Sequence, residues 1–70
     1  MFYAIVKFVN EDEFFQGQSR FEFADLKSLG DQVLESEDND YEDGIFGYVI
    51  ESDHGDSLQD INDFLCYHES

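Results

Sequence analysis

The chain has no proline, one cysteine, Cys66, and three basic residues, Lys7, Arg20 and Lys27, in 70 positions. Each shortage excludes something. A lone cysteine cannot close an internal disulfide, which points to a reducing compartment. Zinc sites normally take four ligands in two close pairs, and His54, Cys66 and His68 lack that spacing. Cys66 is instead expected as a small buried residue and His68 as a frayed terminal one. Affinity for phosphates comes from lysines and arginines that release counterions, so three cations exclude direct nucleic-acid binding. No apolar run approaches the ~20 residues that span a bilayer, and no basic-then-apolar leader opens the chain. An anionic membrane surface would repel it. The expectation is a complete cytoplasmic protein without membrane contact.

What replaces the missing cations is acid: Asp and Glu number 18, for a formal net charge of −15. Solubility asks for a net charge of magnitude roughly 2 to 8 in a small domain, and more makes the compact state repel itself. A disordered acidic tail would carry such a charge, but disordered chains are poor in aromatics. This chain is 41% hydrophobic, with eight Phe and four Tyr. The same aromatic fraction argues against simple adaptation to high salt. Residues 1–70 are therefore expected to fold as a single acidic domain with one modest core, near the lower size limit for a chain without disulfides or metal.

Hydrophobic periodicity orders the elements. Phe2, Ala4, Val6 and Phe8 alternate with Tyr3, Ile5, Lys7 and Val9, which predicts a first strand. Asn10 to Glu13 breaks it with a hairpin turn, and Phe15, Gly17, Ser19, Phe21 and Phe23 then share one face of a second, antiparallel strand. Gly17 is a candidate bulge. Asp25 is positioned to cap a helix whose stripe is Leu26, Leu29, Val33 and Leu34. Glu35 to Gly44 holds six acids in ten residues and reads as the helix end and a solvated loop. Ile45 to Glu51 is a third strand. Ser57 and Asp60 resemble a capping box for a last helix, with Leu58, Ile61 and Leu65 as its buried stripe and Phe64 on the flank. The expected fold is α+β, in the order β-β-α-β-α, with a three-stranded antiparallel sheet and both helices on one face.

On these helices the acids fall opposite the core. Asp56, Asp60 and Asp63 follow i, i+4, i+7 spacing on the last helix, with Tyr67 on the same stripe as a candidate aromatic anchor. Asp31 and Glu35 form a row on the first, and Asp38 extends it if the helix reaches that far. Glu37, Asp40, Glu42 and Asp43 add to the field in the acidic segment. Neighbours at this spacing lie about 5–6 Å apart, the order of successive phosphates along a strand. A chain of this mass exposes roughly 4,500 Å², so acids on half of it have roughly 125 Å² each. B-DNA offers about 100 Å² per phosphate. A polar helix face ordinarily interleaves Lys with Glu, because like-charged i, i+4 pairs repel. Here the repulsion stands, which points to a basic partner that neutralises it.

The same residues bear on other chemistry. Asp38, Asp40 and Glu42 suit the first calcium-ligand positions of D-x-[DN]-x-[DN]-G-x₅-E, but Gly44 falls one place late and Val49 occupies the glutamate position. A weak, irregular divalent-cation site in the acidic segment remains an alternative. Asp53, His54 and Ser57 are explained more simply by a turn and a helix cap than by a catalytic triad. No phosphate-binding loop or dinucleotide fingerprint is present, so neither an enzyme nor a cofactor is expected.

A small, proline-free, strongly acidic α+β domain whose first strand begins at residue 2 resembles the phage- and plasmid-encoded DNA mimics. These include anti-restriction proteins, uracil-DNA glycosylase inhibitors and acidic anti-CRISPR proteins. The resemblance implies stoichiometric inhibition in the host cytoplasm, by occupation of the DNA or PAM-reading channel of a defence complex. The competing expectation is an acidic regulator that docks on a basic host protein away from its nucleic-acid channel. Oligomeric state is not legible in the sequence.

Overall fold

The structure, a computed structural model, describes the backbone of residues 1–69 and the side chains of residues 1–66. The expectations for the Tyr67 and His68 side chains lie outside the described residues. The order is β1 (Phe2–Val9), β2 (Phe15–Phe23), α1 (Leu26–Asp40), β3 (Phe46–Ser52) and α2 (Leu58–Glu69). The sheet is antiparallel in the order β2-β1-β3, so the α+β architecture expected from periodicity is the one observed.

β1 lies in the middle, and its inner residues Ala4, Val6 and Phe8 are fully buried. Phe23 from β2, Val49 from β3, Leu29 and Val33 from α1, and Ile61 and Leu65 from α2 complete the core. Burying each of the larger side chains contributes about 1.5–3 kcal/mol. Gly47 sits across from Phe8 on β3. A Cβ there would come within 2.8 Å of Phe8 Cε1 and 3.0 Å of Val6 Cγ1, so the core fills the space a side chain would need.

Both helices start as the capping signals require. Asp25 accepts from Ser28 N at 2.8 Å, and Ser57 Oγ accepts from Asp60 N at 3.1 Å. Among the described residues no helix is long and apolar enough to cross a membrane.

Several local expectations are corrected. The register slips between Phe8 and Val9, which pair with Gly17 and Phe15, so Gln16 is skipped as a bulge. A one-residue slip moves a side chain to the other face. Gly17, Ser19, Phe21 and Phe23 keep the inner face, while Phe15 turns to the outer one, where Lys7 Nζ lies 5.8 Å from its ring centroid. Leu58 is exposed rather than buried, because it opens α2 a turn ahead of Ile61. Cys66 is exposed too, one step around the helix from buried Leu65.

The largest correction concerns α1, which continues through Asp40 instead of loosening at Glu35. Its last turns are held from two sides. Glu37 Oε1 accepts from Gly47 N at 2.5 Å, and Tyr41, just past the helix, packs its ring 4.7 Å from that of Phe8. On α2, Asn62 pairs with Val49 as a neighbouring strand would, accepting from its N–H at 2.6 Å and donating to its carbonyl at 3.2 Å. Side chains from both helices thus satisfy the outer edge of β3.

Glu37→Ala leaves a partly buried amide without its acceptor and is expected to cost about 1–3 kcal/mol. Asp38→Ala, one residue on and exposed, should cost less than about 0.5 kcal/mol or stabilise the fold. Urea unfolding followed by circular dichroism measures both. Equal losses would contradict a structural role confined to Glu37.

Candidate functional site

Helix geometry decides which acids reach solvent. At 3.6 residues per turn, the stripe that buries Leu29 and Val33 passes next through position 37, so Glu37 is turned inward to β3. Asp31, Glu35 and Asp38 occupy the opposite side and are exposed. Extension of α1 through Asp40 makes this a continuous helical row. Asp31 also lies 3.4 Å from Lys27 Nζ. A second exposed pair, Asp60 and Asp63, stands on α2, where Asp63 accepts from Gln59 Nε2 at 3.0 Å.

Asp56 does not belong to that helical row. α2 begins at Leu58, and Asp56 lies in the preceding turn with Oδ2 3.2 Å from His54 Nδ1. The two are close without the alignment of a hydrogen bond, so the contact is an ion pair only when the imidazole is protonated. His54 itself is wedged between the rings of Phe2 and Phe23, at centroid distances of 4.6 and 5.6 Å. Ser57 is engaged as the cap of α2, and Asp53 Oδ1 accepts from Tyr3 N at 2.7 Å. The residues weighed as a triad are thus distributed among a ring stack, a cap and a strand end.

The third acidic group is one the sequence reading did not assemble. Asn10 Oδ1 accepts from the amides of Asp12 and Phe14, both at 3.0 Å, which folds residues 10–14 into a tight turn with Glu13 at a φ of 65°. Because β3 begins opposite Val9, this turn stands beside the loop that enters β3. Glu11 and Asp12 then line the same open cleft, of about 510 Å³, as Asp40, Glu42 and Asp43. Gly44 adopts a φ of 85° there, and a Cβ on it would come within 3.2 Å of Glu11 Oε1. The acids of the hairpin were visible as a run, but their meeting with residues 40–43 depends on the strand order.

Among the described residues no group of three His, Cys, Asp or Glu side chains is arranged to hold a metal ion.

The acids also crowd the less favourable end of α1. Glu35, Glu37, Asp38 and Asp40 fall in its C-terminal half, and its last turn holds no basic residue. That end carries the negative pole of the helix dipole, where each acid costs typically 0.3–1 kcal/mol at low ionic strength. Folding accounts for Glu37, through its bond to Gly47, but gives no reason for the other three. No family model, curated protein or solved structure matches the chain.

The principal extents are 30 × 21 × 20 Å. At about 0.01 M salt the Debye length is about 30 Å, so acids act on one another across the whole molecule, and at about 0.1 M it falls to about 10 Å. Raising salt over this interval is expected to raise the melting temperature by several degrees, since about 1 kcal/mol corresponds to roughly 4–8 °C in a domain of this size. A calorimetric scan showing a flat or falling melting temperature would contradict a surface dominated by self-repulsion.

Proposed function

We propose that the protein is a stoichiometric, non-enzymatic inhibitor that occupies the nucleic-acid channel of a basic protein, its carboxylates taking the positions of backbone phosphates. The observation that carries this reading is the Asp31, Glu35 and Asp38 row, exposed along the outer side of α1. It stands in a chain with three basic residues for eighteen acids. Carboxylates spaced about 5–6 Å apart on a rigid helix offer a basic groove the repeat it meets on a phosphate strand. The acids at the C-terminal end of α1 and in the cleft beside it extend the field. Complementary charge of this density accelerates association and makes it fall steeply with salt.

The resemblance to anti-restriction and anti-CRISPR proteins makes a defence nuclease complex in the host cytoplasm the target class. Competition tests the reading. A target captured from bacterial lysate on the immobilised protein and eluted with salt is loaded with fluorescent duplex DNA and titrated with free protein. Displacement at one equivalent per binding site is expected. A triple variant, Asp31→Asn, Glu35→Gln and Asp38→Asn, should weaken it by about tenfold or more. If saturating protein leaves the DNA affinity of the target unchanged, mimicry is wrong and docking away from the channel replaces it.

A further inference from the structure

The helices cover one face of the sheet, and strand pairing places Tyr3, Phe15, Phe46 and Tyr48 on the other, open face. The two edges of the sheet differ as well. Successive residues of a paired strand turn their backbone N–H and C=O groups to alternate sides. Tyr3 N donates to Asp53 Oδ1 at 2.7 Å, and Tyr3 O accepts from Ser52 Oγ and Asp53 N at 2.8 and 3.3 Å, so the backbone groups of Tyr3 face the β3 side. Glu22, its partner on β2, therefore turns its own groups away from β1. The register is unbroken from Phe23 to Gly17, which puts Arg20 and Gln18 in the same outward row. On β3 the outward row is met by Glu37 at Gly47 and by Asn62 at Val49. On β2, among the described residues, it is met by Gln32, at the Glu22 carbonyl. Gln18, Arg20 and Glu22 are all exposed. Sheet edges are commonly blunted by proline, lysine or a covering element, and this stretch of β2 contains neither residue.

Beside this row runs an open groove of about 260 Å³, between β2 and α1. Its walls include Phe21, on the inner side of β2, and Gln32, Glu35 and Asp40 of α1. A strand added to β2 would carry one set of alternate side chains over the groove and the other beside Gln18, Arg20 and Glu22 on the open face. From Gln32 to Asp40 the helix rises about 12 Å, and alternate residues of a strand are about 6.8 Å apart, so the groove has room for two side chains. Its chemistry selects long cations, whose stems lie along Phe21 while their heads reach Glu35 and Asp40. The chain's own cations are engaged elsewhere. Lys27 lies 3.4 Å from Asp31, Arg20 is held by Glu22 and the Tyr3 ring, and Lys7 stands over Phe15. A net charge of −15 attracts a basic segment and repels an acidic one, a nucleic acid or a second copy of this chain alike.

We propose that the outer edge of β2 binds an extended basic peptide segment of a protein partner, paired as a fourth strand with two cations at alternate positions seated in the groove against Glu35 and Asp40. Strand addition of this kind takes affinity from main-chain hydrogen bonds and specificity from the pockets met by alternate side chains. The proposal is independent of the inhibitory reading, because it needs a peptide and not a nucleic-acid channel. A failed DNA competition leaves it intact, and its own failure leaves phosphate mimicry intact.

The test is titration of the isotope-labelled full chain with a capped peptide of alternating threonine and lysine, up to about 1 mM. Amide shifts should change at Gln18, Arg20 and Glu22 and not at Gly47 or Val49, and hydrogen exchange at the first three should slow about tenfold or more. Two further peptides separate backbone pairing from simple charge attraction. One is N-methylated on the threonines and the other on the lysines, so both keep the charge and each loses one alternate set of amide donors. Methylation of one set should abolish binding while the other is tolerated, the threonine set if pairing is antiparallel and the lysine set if it is parallel. A peptide with glutamate in place of lysine should not bind, and Glu35→Gln with Asp40→Asn should weaken capture about threefold or more. Equal binding by the two methylated peptides, or shifts spread over the acidic helices without slowed exchange on β2, would overturn the proposal. So would exchange at Gln18 and Arg20 that slows with protein concentration alone, since a second copy would then occupy the edge.

Discussion

A chain with this much like charge folds only if burial outweighs repulsion, and here the burial is organised by one short row, Ala4, Val6 and Phe8 of β1. The row sits in the middle strand, so both neighbouring strands and both helices close over it. Phe8 is its hub, packing against Tyr41 and, edge-on at 6.4 Å, against Phe21, while Gly47 yields it space. Once that row is enclosed, the outer sides of the helices have no packing duty. They can be given over to acid without taking anything from the core.

Most of this architecture could be read in advance because period-2 and period-3.6 patterns are written in single residues. The alternation of Phe2 to Val9 and the stripe through Leu29 and Val33 needed no tertiary information. What the sequence did not disclose depended on neighbours. Phe15 lies two positions before Gly17, which in an unbroken strand puts both on one face, and only pairing with β1 reveals that Gln16 is skipped. Glu37 looked like one more acid in an acidic segment, although it lies four residues after Val33 and so on the buried stripe. That spacing was the available signal, masked by the expectation that acids at a helix end are solvated.

The exposed acids were legible in kind but less so in arrangement. Asp31 and Glu35 followed from helical spacing alone, whereas Asp38 joined the row only because α1 runs on to Asp40. Asp56 fell outside its helix because Ser57 is the N-terminal cap and α2 begins only after it. The cleft shared by Glu11, Asp12 and residues 40–43 joins segments about thirty positions apart, and no local pattern predicts such a meeting. The aromatic outer face likewise emerged from register. Tyr3, Ile5 and Val9 were assigned correctly to one side of β1, yet whether helices covered that side could not be read from β1 itself.

The two edges of the sheet differ in a way that bears on how the protein behaves in a crowded cell. An edge strand offers backbone groups that can template a further strand. On β3, Glu37 and Asn62 occupy the Gly47 amide and both backbone groups of Val49, so a further strand would have to displace these side chains. On β2, Gln32 Nε2 reaches the Glu22 carbonyl at 2.9 Å, near the end of the strand where α1 begins. Growth of the sheet, whether by misassembly or by an invading peptide, therefore has a preferred direction, away from β3 and outward from β2. One carboxylate and one amide withheld from the surface make the molecule one-sided.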